Sequence, residues 1–332
     1  MRELKKTIRI KFVDFFDGFN PSDNEFLDIL RTRYDVVLSD NPEYIIYSSF
    51  GFQYLKYNCI RIFYTGECIV PNFNECDYAI GFDRLVFADR YIRMPLFFLF
   101  QYKKDFFDIR EREPLTIADV LSKPGFCNFV YSNCFAQDKR TEIFEKLSKY
   151  KKVDSGGRYR NNIGGAVKDK KAFMQNYKFS IAFENTSYDG YATEKITEAF
   201  AARTIPIYYG DPRIAEDFDE DAFVNCHRYQ TIEDVVKRIQ EIDKDDNICL
   251  QMLNTYPYKI DYQSLSEFLF HVFDQEKEDA FRRPFSLPSK SYEAMLKRHR
   301  YFEQYIYKYY KKVINQFIRL KRGTILNRKR TI

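Results

Sequence analysis

Residues 179–212 constrain this chain more than any other stretch. Phe179 to Phe183 reads as an apolar strand, 184–191 as a polar loop, and Thr193 opens an Ala-rich helix. Thr204 to Tyr209 reads as a second strand, stopped by Gly210-Asp211-Pro212. Strand, loop, helix, strand is the building unit of a parallel sheet. It gathers polar residues where the first strand ends and the helix begins, the edge at which parallel α/β folds bind ligands. A helix start there offers unpaired N–H groups and a positive dipole end to a phosphate. Lys195, in the first turn, adds a mobile cation. By itself this pattern points to a phosphorylated ligand no more strongly than to a solvated surface lysine.

The same alternation runs through the rest of the chain. A strand over 8–15 precedes the capping-box pattern Ser22-Asp23-Asn24-Glu25, after which Phe26, Ile29 and Leu30 fall at helical spacing. Short apolar runs follow at 36–38, 44–47, 59–64, 78–82 and 93–98. Residues 101–124 are charged and turn-rich and read as the interdomain region. The second half begins with a strand over 126–131 and a helix with Ile143, Phe144 and Leu147 on one face. A Gly156-Gly157-Arg158 loop and a short helix over 169–177 lead into the 179–212 unit. Beyond it come a strand at 223–225 and a helix capped by Thr231. At 332 residues the chain exceeds one comfortable core. The expected fold class is α/β, with two Rossmann-like domains facing across a cleft. Their expected limits are 1–115 and 116–289, followed by a helical tail over 290–332.

Two motifs resemble glycosyltransferase family 10, the α1,3/α1,4-fucosyltransferases. The family pattern F-x-x-x-F-E-N, loop, Y-x-T-E-K, helix, P-x-x-x-G is matched here by Phe179, Phe183-Glu184-Asn185, Tyr191-Ala192-Thr193-Glu194-Lys195, Pro206 and Gly210. Upstream, Phe63-Tyr64-Thr65-Gly66-Glu67 and Asp77-Tyr78-Ala79-Ile80-Gly81-Phe82-Asp83 match a second motif in the family's order. The resemblance covers roughly residues 5–255 and implies the GT-B arrangement. It also implies an inverting transfer of fucose from GDP-fucose to a hydroxyl, taken as O3, of N-acetylglucosamine in an N-acetyllactosamine-type glycan. The N-terminal domain would bind the acceptor and the C-terminal domain GDP-fucose.

Such a transfer needs a stabilised leaving diphosphate, a deprotonated acceptor hydroxyl, and alignment of both substrates. Asp217-Phe218-Asp219 fits the D-x-D string of metal-dependent transferases, but it sits in an acidic turn with no strand feeding it and reads as a solvated loop. The expectation is therefore no metal and no cofactor, with cations and a helix N-terminus holding the diphosphate. Lys195 is the first candidate. Arg140 is the second, since the resemblance places a phosphate-contacting arginine in a similar context. Arg158 and Arg160 follow. By the resemblance Glu194 accepts hydrogen bonds from the ribose, and Asn185 and Tyr191 line the donor pocket. Thr193, at the helix start, belongs to the same donor site, although a plain N-cap role also explains it. Glu67 stands just after a strand with Gly66 freeing the turn, and its family counterpart is taken to be the general base. Asp14 and Asp17 are the fallback bases on the same face. His227, His271 and His299 are scattered and carry no catalytic expectation.

Composition narrows the setting. Hydrophobic residues make up 45% and charged residues 30%, a globular balance. The 27 Tyr and 33 Phe suit carbohydrate contact, but an AT-rich coding bias accounts for the larger share of them. Seven cysteines form an odd set without metal-ligand spacing, the usage of a reduced chain. No signal-peptide core and no run of 18 apolar residues occurs, so a bacterial enzyme on the cytoplasmic side is expected, without the anchor and stem of animal members. Residues 290–332 hold 13 Lys or Arg against 2 Asp or Glu, a net +11, whereas 1–289 carry a net −6. Met295, Phe302, Ile306, Tyr309, Val313, Phe317 and Leu320 form one stripe of an amphipathic helix. Basic flanks on such a stripe suit the inner face of the cytoplasmic membrane as a peripheral site, more than nucleic acid, which is not expected as a partner. A helix packed on the body would give the same pattern. A non-enzymatic peripheral membrane or polyanion-binding protein, working through this tail, is the alternative reading.

Overall fold

The computed structural model describes residues 5–132, 139–261, 263–284, 292–302 and 309–317. It contains two wholly parallel sheets. The first is built from β1 (Thr7–Val13), β2 (Asp35–Leu38), β3 (Tyr44–Tyr47), β4 (Ile60–Tyr64), β5 (Tyr78–Gly81) and β6 (Tyr91–Arg93) in the order β2-β1-β3-β4-β5-β6. The second comprises β7 (Gly125–Phe129), β8 (Val153–Ser155), β9 (Tyr177–Phe183), β10 (Ile205–Tyr209) and β11 (Val224–Asn225) in the order β11-β10-β9-β7-β8. Within each domain the first strand thus has the second on one side and the third on the other. Order reverses there, between β1 and β3 and again between β7 and β9, and open α/β sheets bind ligands outside the carboxyl ends at that point. This is the two-domain GT-B arrangement expected.

Helices follow in chain order. α1 (Glu25–Arg33), α2 (Lys103–Arg110) and α3 (Ile117–Leu121) precede β7. α4 (Lys139–Ser148), α5 (Lys170–Met174) and α6 (Glu194–Ala201) serve the second sheet, with α7 (Ile232–Lys244) and α8 (Asp246–Asn254) behind β11. α9 (Leu265–Asp274), α10 (Lys277–Ala280) and α11 (Tyr292–Phe302) end the described fold, with 309–317 also helical.

Several local expectations need correction. The cap of α1 is Asn24, whose side chain accepts from the Leu27 N–H, and not Ser22. The run 93–98 does not form a strand: β6 ends at Arg93, and Leu96–Phe98 turns as a 3-10 helix that buries Phe97 and Phe98. The expected interdomain loop at 101–124 is largely helical. α2 buries Phe106 and Ile109, Phe106 packing edge-on against Phe98 and Tyr258. Hydrophobic spacing was hidden there by the lysines and acids on the outer face.

The boundary at 289 is also displaced. α9 packs on α1, and Tyr34 donates to Asp274 at 2.6 Å. Arg283 pairs with the fully buried Asp77 at 3.0 Å. Residues 265–284 therefore pack on the N-terminal domain. Apolar burial drives the return, because Leu269, Val272 and Phe273 join one core with Ile8, Phe26 and Ile46. The same core reaches Ile196, Phe200 and Phe218 of the other domain, so a shared apolar seam joins the two sheets.

The tail divides. In α11, Leu296 is buried and Glu293 reaches the buried Arg61 at 2.9 Å, so this part packs on the body. Met295, Phe302, Tyr309, Val313 and Phe317 of the expected stripe are exposed. Ile306 and Leu320 lie outside the described residues. No helix among the described residues is long and apolar enough to cross a membrane.

Candidate active site

Each reversal point holds a cavity, and the two are chemically opposite. The C-terminal one encloses about 250 Å³ and lies past the ends of β7 and β9. Among the described residues its charged lining is Arg140, Lys170, Lys195 and Glu194, three cations to one carboxylate. The N-terminal one encloses about 410 Å³ past the ends of β1, β3 and β4. Phe16, Phe19, Phe50, Tyr64, Phe100 and Tyr102 supply its rings, and among the described residues Asp23 and Glu67 supply its charges.

Arg140 governs the first cavity. α4 carries it inward, 98% buried, with its guanidinium 4.0 Å from the Tyr131 ring centroid. One terminal nitrogen donates to the Phe183 carbonyl at 2.8 Å and to Asn185 Oδ1 at 3.0 Å. Among the described residues Nε and Nη1 are buried without a partner. A buried polar group left unmade costs roughly 1–3 kcal/mol, more when charged, so an anion there would be favoured. Tyr131 in turn pins the end of β9. Its hydroxyl donates to the Ile181 carbonyl and accepts from the Phe183 N–H, both at 2.7 Å.

Lys195 has a different setting from the mobile cation expected. It donates to Glu184 at 2.8 Å and to the Thr193 hydroxyl at 2.7 Å. Glu184 is fully buried and also accepts the Thr193 N–H and hydroxyl. Thr193 thus occupies the N-cap position of α6 while its side chain serves Glu184 instead of the helix. Burial works against the Lys195 ammonium, but Glu184 and Glu194 outweigh it and hold its pKa above the ordinary lysine value. Burial likewise opposes the Glu194 carboxylate, and Lys195 and Lys170 reverse that, leaving its pKa lowered. Glu184 was missed as a site residue. Its place between Phe183 and Asn185 in the motif was visible, but its anchoring of Lys195 appears only in three dimensions.

Other expected donor residues separate. Asn185 lines the cavity beside Arg140. Tyr191 does not: it is buried at the domain seam, edge-on to Phe82 at 5.0 Å. Arg158 is exposed and outside the lining. Arg160 is committed to Glu145 at 2.6 Å. Lys170, absent from the expectations, enters from the start of α5 and pairs with Glu198.

On the opposite wall Glu67 is exposed at the mouth of the aromatic cavity. Its backbone N–H donates to the Thr65 hydroxyl at 3.0 Å, fixing the turn after β4. The two walls face one another. Tyr102, in the aromatic wall, has its phenol pushed up to about 12 by burial first and then by Glu194 and Glu198 across the cleft. Tyr191 feels the Glu67 charge in the same way. Asp14 is unsuited as a base: it accepts the Gln53 and Tyr54 N–H groups and holds that loop. Asp17 is exposed and lines neither cavity. Asp217 of the D-x-D string is not solvated but 98% buried, taken up by Arg84 and Arg93. Among the described residues no group of three or more His, Cys, Asp or Glu is arranged to hold a metal ion. His227 sits 3.2 Å from the Gly210 carbonyl and His271 pairs with Asp89, structural roles both.

Known proteins match across this arrangement. Residues 10–100 match the α-(1,3)-fucosyltransferase FucT N-terminal domain, and 120–267 match the glycosyltransferase family 10 (fucosyltransferase) C-terminal region. The α-(1,3)-fucosyltransferase FucT of Helicobacter pylori is 38% identical over 264 residues, 69% of this chain and 55% of that protein. A putative fucosyltransferase of Acanthamoeba polyphaga mimivirus is 25% identical over 67% of this chain and 36% of its own length. The chain thus spans about half, or less, of these relatives. A crystal structure of an α1,3-fucosyltransferase with GDP superposes with a TM-score of 0.71 at 30% identity, covering 86% of this chain and 95% of that one. The same enzyme type with GDP-fucose gives 0.71 at 29% identity. The chain belongs to glycosyltransferase family 10, the fucosyltransferases.

Proposed function

We propose that the chain is an inverting α1,3-fucosyltransferase that moves fucose from GDP-fucose to O3 of N-acetylglucosamine in an N-acetyllactosamine-type acceptor. The observation that carries this reading is Arg140, a buried cation with two nitrogens unmet among the described residues, in a cationic cavity facing Glu67. The named relatives, one solved with GDP-fucose, supply the donor's identity. Arg140, Lys195 and the N-terminus of α6 hold the diphosphate, and Lys170 adds charge. Glu194 accepts from the ribose hydroxyls, and Asn185 keeps Arg140 aimed. Glu67 removes the acceptor hydroxyl proton as that oxygen bonds to the anomeric carbon of fucose. The bond from that carbon to the phosphate oxygen breaks on the opposite face, and GDP departs with the electron pair.

Protein cations take the leaving charge, so no metal is required and activity survives chelation. The exposed rings of Phe302, Tyr309, Tyr310 and Phe317 seat the chain on the inner face of the cytoplasmic membrane. Because α11 packs on the body, truncation should begin after Phe302, not near 290. That variant should move to the soluble fraction with turnover intact; a folded but inactive one would assign the segment to the catalytic body. The decisive experiment for the whole reading is a mass-spectrometric screen of nucleotide sugars with N-acetyllactosamine. A mass gain of one fucose with GDP-fucose is expected. Binding of GDP without transfer to any acceptor overturns the enzymatic assignment.

A further inference from the structure

The seam between the domains contains a charge cluster that neither cavity uses. Phe82-Asp83-Arg84 runs on from β5 and projects from the N-terminal domain against the loop that carries Gly190 and Tyr191. The Arg84 guanidinium meets four carboxylates of the other domain: Asp211 at 2.8 Å, and Asp189, Glu216 and Asp217 each at 3.0 Å. Arg93, at the end of β6, forks onto both oxygens of Asp217 at 3.0 and 2.5 Å. Asp211 and Asp217 are 100% and 98% buried.

The charge count makes the cluster conditional on closure. Four carboxylates belong to the C-terminal domain, which contributes one cation, Arg213, paired to Asp189 at 3.1 Å and Glu216 at 2.7 Å. Arg84 and Arg93 come from the N-terminal domain. Were the cleft to open, an acidic group of net −3 would lose both partners and its carboxylates would repel one another. Closed, the cluster is net −1 and its geometry is fixed.

The cluster also connects the two reactive edges. Asp211 Oδ1 accepts the Gly190 N–H at 2.9 Å, and Gly190 has φ +79° with the Phe82 carbonyl 2.8 Å from where a β-carbon would lie. Gly190 leads directly into Tyr191 to Lys195. On the other side β5 pairs with β4, Tyr64 opposite Ile80, and β4 ends just before Glu67. We propose that Arg84 is a positioning residue for the transfer, clasping the acidic cluster so that the Glu67 turn is held in register with the donor loop. It touches neither substrate in this role and acts through the relative placement of the two walls.

The inference rests on the fucosyl-transfer reading, and the test separates the two. Arg84→Ala should lower kcat at saturating substrates by about 10²-fold, the scale of a 1 Å misplacement, with GDP affinity by calorimetry within about twofold. Arg84→Lys should recover only part, because one ammonium cannot serve four carboxylates in a fork. Asp217→Asn, which keeps side-chain volume, should reproduce the loss, and the double variant should be little worse than either single one. Small-angle scattering should show a larger radius of gyration for Arg84→Ala than for the unaltered protein. Unchanged kcat in folded Arg84→Ala, or a loss of GDP affinity matching the loss of kcat, overturns the proposal. If Arg84→Ala fails to fold, Asp217→Asn alone decides by the same criteria. Wild-type protein that transfers nothing defeats the fucosyl reading, and scattering then judges the clasp by itself.

Discussion

The two reversal points share one topology and opposite chemistry. Past β7 and β9 the walls are cationic and tightly cross-linked, with Arg140, Lys195 and Glu184 each held by at least two partners. Past β1 and β3 the walls are aromatic and loosely held, with Phe16 and Phe50 about half exposed and Glu67 at the mouth. A parallel sheet thus dictates where a ligand can sit, and the residues at its strand ends dictate which ligand. A diphosphate needs fixed charge paid for in advance by burial. A sugar needs apolar faces and one base that can exchange protons with water. The variants of wall residues below should each damage one wall and spare the other.

The largest contrast is expected from Glu67→Gln, which keeps shape and removes basicity. Proton removal in the transition state typically contributes about 10² to 10⁴ in rate. We expect kcat to fall by that order while GDP affinity, set by the other wall, stays unchanged. Near-normal kcat in the folded variant would sink the assignment of the base.

Arg140→Ala should do the converse and weaken GDP binding by about 2–4 kcal/mol, the range for a charged hydrogen-bonding partner lost from a desolvated site. Lys195→Ala offers a sharper control. It should also weaken GDP, but it leaves Glu184 buried without its cation, so the melting temperature should drop as well. Calorimetry and thermal melting together distinguish the two. Equal destabilisation by both variants would mean that Arg140, too, is mainly structural.

The seam between the walls gives a smaller, pH-dependent effect. Burial pushes the Asp83 carboxyl up to about 6, Asp189 adding to this and the local backbone and Arg93 opposing it. Among the described residues its Oδ2 is buried without a partner. Because the folded value lies above the ordinary 3.8, folding binds a proton more readily there. Asp83 therefore costs nothing at low pH and destabilises progressively as pH rises from about 4 to about 6. Asp83→Asn should stabilise the protein at pH 8 by about 2 kcal/mol, a few degrees in Tm, after allowance for residual hydration. The gain should vanish near pH 4. The same Tm change at both pH values would contradict this account.

How much of this was legible in the sequence follows the same division. The strands of both sheets were visible because buried parallel strands are short continuous apolar runs, and residues 179–212 declared their unit almost to the residue. β6 and β8 were not: the apolar run at 93–98 meets β6 only at Arg93, and Val153-Asp154-Ser155 is too short and polar to stand out. Arg140 was recognisable as a candidate, but its two unmet nitrogens depend on α4 facing β9. Lys195 was over-read as mobile because Glu184, eleven residues earlier, closes on it only through the loop. Asp217 was under-read as solvated because its partners, Arg84 and Arg93, lie more than 120 residues away. α2 was obscured because its lysines and acids mask Phe106 and Ile109. α9 is mostly apolar, and its sequence marks a buried helix without marking which sheet it packs on.

The smallest expected effect tests the aromatic wall. Phe50 is 52% exposed, its ring 6.1 Å from Phe16 and edge-on to it, so the pair forms a lip above the cavity floor. An acceptor sugar presents C–H groups on one face and hydroxyls at its rim, and an aromatic lip buries the former without competing for the latter. Since Phe50 is already half in water, its truncation removes contact with the ligand and little of the core. Phe50→Ala should raise the acceptor KM about fivefold, roughly 1 kcal/mol of apolar contact. It should leave kcat and GDP affinity unaltered, because neither Glu67 nor the cationic cavity is touched. Phe16→Ala should act similarly, and the double variant should fall short of the product, as expected of rings that share one face. An acceptor KM indifferent to both would place the acceptor elsewhere on the N-terminal face and reduce the contrast between the walls to one of charge. A parallel loss of kcat would instead show that the lip aligns the nucleophilic hydroxyl with Glu67 as well as gripping the sugar.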